Sequence, residues 1–86
     1  MLDYKTIIET LLYTSDKPLS IKVILDVFDE ALTVSKIKEI IKEINDDFID
    51  NKKGIYIKKI SNTYQIRTHH KFDKYIKKAR LSKSKI

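Results

Sequence analysis

Eighty-six residues make one small domain, and a hydrophobic content of 42%, with fifteen isoleucines, is too high for a disordered chain. The absence of cysteine excludes a disulfide framework and a thiolate metal site, and no apolar run approaches the roughly 20 residues of a membrane span. The net charge of +6 is unevenly divided: residues 1–50 carry six Lys and eleven Asp or Glu, net −5, while residues 51–86 carry twelve Lys or Arg and one Asp, net +11.

That asymmetry points the second half toward nucleic acid or an acidic partner; the plainer reading is a solvated lysine-rich tail. Met1-Leu2-Asp3-Tyr4 lacks the basic start and apolar run of a signal peptide, so a soluble cytoplasmic protein is expected. Glycine and proline occur once each, which implies regular structure joined by short turns.

The first helix is expected from about Asp3 to Ser15. Tyr4, Ile7, Ile8, Leu11 and Leu12 recur at helical spacing, and Asp3 is a suitable N-cap. Asp16-Lys17-Pro18 ends it, because proline disfavours helical geometry in the residue before it. Ser20 can cap a short second helix through about Asp29, with Ile21, Ile24, Leu25 and Phe28 facing inward. Val23 and Val27 leave that stripe, so the helix is apolar over most of its circumference and is expected to be buried on more than one side. The third helix starts at Thr33 or Ser35 and runs to about Asn51, with Val34, Ile37, Ile41, Ile44 and Phe48 inward and Lys and Glu alternating outside.

After Gly54 the pattern changes. Ile55 to Ile60 and Tyr64 to Arg67 are rich in β-branched and aromatic residues. Ser61-Asn62-Thr63 separates them, with Asn suited to the left-handed conformation of a turn, so a β-hairpin is predicted. Helical spacing returns from about His70, with Phe72, Tyr75, Ile76 and Ala79 as the apolar stripe of a basic fourth helix. The fold class is therefore mainly α with a small β-hairpin, in the order α-α-α-β-β-α: a winged helix, a variant of the helix-turn-helix. The domain is expected over residues 3–80, with 81–86 polar and loose.

Two segments carry a family resemblance. Ile8 to Ser15 followed by Lys17-Pro18-Leu19-Ser20 is similar to the "IEALLF-S-G-PLS" opening of segregation and condensation protein B. The stretch Gly54 to Thr68, ending Tyr64-Gln65-Ile66-Arg67-Thr68, resembles that family's "GLELREVAGGYQLRT", and Leu81-Ser82 falls where its second domain begins. The sequence departs from the pattern at the hairpin tip, where Asn62-Thr63 replaces Gly-Gly, and at Asp16, where Gly is common. The resemblance implies an N-terminal winged-helix domain, with 81–86 a linker toward an absent second winged helix. It also implies a non-catalytic homodimer that assembles with a kleisin subunit and the structural-maintenance-of-chromosomes ATPase at the nucleoid.

Several chemistries can be weighed on residues alone. The third helix occupies the DNA-reading position of a winged helix. From Thr33 to Asn51 it sets Lys36, Lys38 and Lys42 against Glu39, Glu43, Asp46, Asp47 and Asp50, a net charge of −2 that disfavours contact with phosphates. A solvated face laced with salt bridges is the better reading of it. Non-specific DNA contact suits Lys58, Lys59 and Arg67 on the wing with Lys74, Lys77 and Lys78 on the fourth helix, so DNA contact is expected to be weak or indirect. His69-His70 cannot readily share one metal ion, since adjacent helical side chains point about 100° apart. Neither metal nor cofactor is expected, and nothing converges into a catalytic set, so an enzyme is not expected. Tyr13, Val23 and Val27, apolar but off the core stripes, are candidates for a self-complementary dimer patch, against the alternative of ordinary surface. The rival functions are a free-standing winged-helix DNA-binding regulator and a domain that docks on another protein as a monomer.

Overall fold

The computed structural model describes residues 3–84. In chain order it contains α1 (Tyr4–Thr14), β1 (Leu19–Ser20), α2 (Ile21–Val27), α3 (Val34–Asp50), β2 (Ile55–Ile60), β3 (Thr63–Thr68), a 3-10 turn (His70–Phe72) and α4 (Asp73–Ser84). The helix-helix-helix-hairpin-helix order predicted from periodicity is present.

Each of the first three helices begins on an oxygen that satisfies one of its free N–H groups. Asp3 accepts from the Thr6 backbone N–H at 2.7 Å, Ser20 from that of Val23 at 3.1 Å, and Thr33 from that of Lys36 at 3.1 Å. The Thr6 amide holds the Asp3 carboxyl below the usual carboxylate range. The ends of α2 and α3 share one device. Past α2, Asp29 N–H donates to Asp26 O and Glu30 N–H to Leu25 O; past α3, Lys52 N–H donates to Ile49 O and Lys53 N–H to Phe48 O. This is the Schellman pattern, which places the residue after the C-cap in the left-handed region. Those residues are Asp29 (φ 50°) and Lys52 (φ 51°), and Glu30 follows with φ 63°. None is glycine, so each position carries steric cost.

The core joins α1, α2, α3 and the inner face of the hairpin. Ile8, Ile24, Ile37 and Ile44 are fully enclosed, and Leu12, Ile21, Leu32, Ile40, Ile41, Phe48, Ile57 and Tyr64 complete the cluster. Val34, expected to open the α3 stripe, is instead exposed, and Ile40 takes a core place. Val34 sits in the first turn beside a shallow cleft shared with Ser20, Leu25 and Asn62, beyond the edge of the packed layer. The expectation that α2 is buried on several sides is also corrected. Ile21 and Ile24 are buried, but Val23 and Val27 are exposed, because α3 and the sheet cover a single face.

The sheet has three strands in the order β1-β3-β2, all antiparallel. The third strand, β1, was not expected: Leu19 pairs with Tyr64 and Ser20 with Thr63. Two residues are too few to show alternation. The hairpin turn has two residues, Ser61 and Asn62, since Ile60 pairs with Thr63. Its positive φ falls on Ser61 (54°), not on Asn62 as expected. The Asn62 carbonyl is used elsewhere, accepting from the Ile21 N–H at 3.1 Å and tying the wing tip to the start of α2. On the free edge of the sheet, the Ile57 N–H donates to Asn45 Oδ1 of α3 at 2.8 Å. That bond satisfies a strand amide that would otherwise face the helix unpaired.

The last helix departs most from expectation. Only Ile76 of the stripe Phe72, Tyr75, Ile76 and Ala79 is even half-buried, and Tyr75 is 60% exposed. The helix also continues through Ser84, past the point where a loose segment was expected to begin; residues 85 and 86 lie outside the described ones. Among the described residues no helix is long and apolar enough to cross a membrane.

Candidate functional site

Every buried side chain among the described residues is apolar apart from the Tyr64 hydroxyl, so the chemistry of this molecule lies on its surface. Three surfaces matter: the apolar residues off the core stripes, the outer side of α3, and the basic wing with α4.

Val23 and Val27 stand one turn apart on α2, at 45% and 46% exposure, and form one small apolar face. Tyr13 is 59% exposed near the end of α1, with its ring edge-on to Phe48 at 6.3 Å between centroids. The opposite end of α1 carries Tyr4, edge-on to Phe28 at 5.2 Å. The three candidates are therefore all solvent-facing. The valines share a face, whereas Tyr13 is anchored against α3.

The outer side of α3 is a solvated ionic surface. Lys36 faces Glu39 at 3.9 Å and Lys42 faces Asp46 at 3.1 Å, both pairs exposed. Lys5 of α1 reaches across to Asp47 at 2.5 Å, and that hydrogen bond raises the lysine above its ordinary value. Three of the five acidic groups counted on this helix thus face lysines of the same chain. The excess of carboxylates over lysines on this helix disfavours contact with a phosphate backbone.

The wing is basic, but not all on one side. Successive strand residues point to opposite faces, and directly paired residues share a face. Lys58 pairs with Gln65 and Tyr56 with Arg67, so Lys58 and Arg67 stand together on the outward face. There the Arg67 Nε donates to Gln65 Oε1 at 3.2 Å, and the Tyr56 ring lies 4.9 Å from that of His69. Lys59 pairs with Tyr64, a core residue, and so projects from the other face, beyond the edge of the core. On α4, Lys74, Lys77 and Lys78 are all exposed; Lys74 Nζ lies 5.2 Å from the Tyr75 ring centroid, within cation–π range. Lys77 joins Thr68, Asp73, Ile76 and Arg80 around a cleft between α4 and the end of β3. Sequence reasoning missed Asn45, because a polar residue inside a helical pattern gives no sign of which strand amide it meets.

Three helices followed by a two-stranded wing define this molecule as a winged-helix domain of the helix-turn-helix class. The family model described as "Segregation and condensation complex subunit ScpB" matches residues 6–86, and the chain belongs to that family. Segregation and condensation protein B of Clostridioides difficile (strain 630) is 30% identical over 76 residues, covering 88% of this chain and 42% of that protein. The chain thus spans less than half the length of this curated relative. Among solved structures, ScpB from Mycobacterium tuberculosis superposes with a TM-score of 0.83 over 98% of this chain and 53% of that one, at 21% identity, a likeness of fold. A structure described as a dimer of the ScpB N-terminal domain complexed with ScpA peptide is 26% identical, with a TM-score of 0.75, covering 87% of this chain and 91% of that one.

Proposed function

We propose that this chain is the homodimerisation domain of a chromosome segregation and condensation subunit, and that it catalyses nothing itself. Its role is to hold two copies together so that the subunit assembles on one kleisin and, through it, with the structural-maintenance-of-chromosomes ATPase. The observation that carries this reading is the match to nearly all of an ScpB N-terminal domain seen as a dimer with an ScpA peptide. The apolar core and solvated ionic surfaces support binding rather than catalysis. The reading includes a winged-helix domain that closes with α4, a connection beyond it toward a second winged helix, and residence in the cytoplasm at the nucleoid. Tyr13, Val23 and Val27 are the proposed dimer patch, since large apolar side chains exposed off the core suit a covered surface.

Light scattering on a size-exclusion column, with the chain mixed with a kleisin fragment from the same organism, tests the proposal. The expected species holds two copies of this chain per fragment. A complex of one copy per fragment, or none, would contradict it. Replacing Val23 and Val27 by Asp should convert the dimer to monomer without unfolding it, because both residues lie outside the core.

One observation favours a second reading. Lys58 and Arg67 share the outward wing face, and Lys74, Lys77 and Lys78 line α4, a distribution that suits phosphate contact by a DNA-binding regulator. Such binding would weaken steeply with salt. The acidic balance of α3 restricts it to non-specific contact.

A further inference from the structure

A groove lies on the side of the molecule where α3 ends and the 3-10 turn begins. Its volume is about 480 Å³, within the range of about 300–1,000 Å³ typical of ligand sites. Ile49, Ile55 and the Phe72 ring make its apolar wall, and Lys52, Lys53 and Lys71 stand around it. No carboxylate among the described residues lines it.

The placement of these groups follows from the backbone. The left-handed Lys52 and the Schellman hydrogen bonds turn the chain sharply at the end of α3. Gly54 then passes close under Phe72, and the His69 N–H donates to Gly54 O at 3.0 Å, closing the far side. Ile49 is left exposed on the last turn of α3, and Phe72 on the facing turn. Among the described residues the ion pairs use Lys5, Lys36 and Lys42, so the three groove lysines have no carboxylate partner. The Lys71 ammonium sits 5.3 Å from the Phe72 ring centroid.

An apolar slot ringed by lysines that meet no carboxylate of the described residues matches one kind of occupant. We propose that this groove receives a segment of a partner protein in which a large apolar side chain is flanked by Asp or Glu. The apolar side chain fills the space between Ile49, Ile55 and Phe72, and its neighbouring carboxylates meet Lys52, Lys53 and Lys71. Phosphate backbone is a poorer match, because most of the groove's surface offers it nothing but hydrocarbon. None of Tyr13, Val23 or Val27 lines this groove, so the proposal stands or falls apart from the dimer patch.

The test is fluorescence anisotropy with a short dye-labelled peptide that alternates Leu or Phe with Asp or Glu. A second peptide carries Lys at the acidic positions, and a labelled DNA duplex is the third probe. The acidic peptide should bind in a salt-sensitive manner, and the basic one should not. The double substitution Lys53→Glu with Lys71→Glu should weaken the acidic peptide by on the order of tenfold or more, since both side chains are exposed and the fold does not depend on them. Phe72→Ala should weaken it through loss of the apolar wall, with circular dichroism confirming that the domain remains folded. Failure of the acidic peptide to bind, or binding that the double substitution leaves unchanged, would overturn the proposal. So would a duplex that displaces the peptide and is itself weakened as much by the same substitutions, which would make the groove a nucleic-acid surface.

Discussion

Gly54 is the one glycine in the chain, and two separate constraints explain why a larger residue does not fit there. Its φ is +73°, in the left-handed region, where an L-residue costs about 1–2 kcal/mol. A Cβ built at this position would lie 3.0 Å from Phe72 Cε2 and 3.4 Å from Phe72 Cδ2. The ring would have to give by a few tenths of an ångström, and it can, because Phe72 is 37% exposed. Against these costs, alanine restricts the unfolded chain and recovers about 0.4–1 kcal/mol. The balance for Gly54→Ala, with a small steric cost added, is a loss of roughly 0.5–2 kcal/mol, with the backbone as the larger part. In a domain of this size 1 kcal/mol moves Tm by about 4–8 °C, so a fall of roughly 2–15 °C is expected. Thermal and urea unfolding followed by circular dichroism measure it, and the pair Gly54→Ala with Phe72→Ala separates the causes. If the reasoning holds, removing the ring returns only the minor, steric part of the loss. A Gly54→Ala protein as stable as the parent, or one fully rescued by Phe72→Ala, would refute the backbone argument.

Other perturbations follow from the same geometry. Asn45→Leu leaves the Ile57 N–H without its acceptor and should cost about 1–3 kcal/mol in chemical unfolding, while Asn45→Asp, which retains an acceptor oxygen, should cost less. Lys52→Gly should stabilise by roughly 0.5–1 kcal/mol, because glycine relieves the left-handed strain at the α3 terminus, and a destabilised variant would speak against the Schellman assignment. Ile44→Ala, at a fully enclosed site between α3 and its neighbours, should cost about 2–5 kcal/mol, whereas Ile49→Ala on the exposed end of the same helix should change unfolding little. The Asp3 carboxyl is held below its ordinary value, so its contribution is present above the unfolded pKa of about 4 and is lost as pH falls through the lower folded value. The Tm advantage of the parent over Asp3→Asn should therefore shrink progressively as pH falls below about 5, and an advantage that stays constant would contradict the cap's electrostatic role.

Much of the fold could be read in advance because its strongest signals are local. The isoleucine spacing of α1 and α3, the capping oxygens of Asp3, Ser20 and Thr33, and the β-branched runs around Ser61-Asn62 each act within a few residues. What escaped depends on distant partners. Leu19-Ser20 becomes a strand only because Tyr64 and Thr63 lie alongside it. Val34 fits the α3 stripe by periodicity, yet the core layer ends before reaching it. The α4 stripe is genuine in sequence, but the body of this chain leaves it largely uncovered. The wing cations divide in the same way: Lys58 and Arg67 share a face and Lys59 does not, a distinction that requires the strand register. The groove between Ile49 and Phe72 is not legible in sequence, since its residues come from the end of α3, the following loop, the start of β2 and the 3-10 turn, whose approach depends on Gly54 and the left-handed Lys52.

In the proposed function this domain joins two copies of itself and does not act as a DNA reader. Sedimentation velocity at near-physiological salt, with the chain alone and then with a labelled duplex, separates the two behaviours. The expected particle has twice the 10.2 kDa chain mass and leaves the duplex boundary unshifted. A 10.2 kDa monomer that carries the duplex with it would overturn the dimer reading and favour a winged-helix DNA-binding regulator.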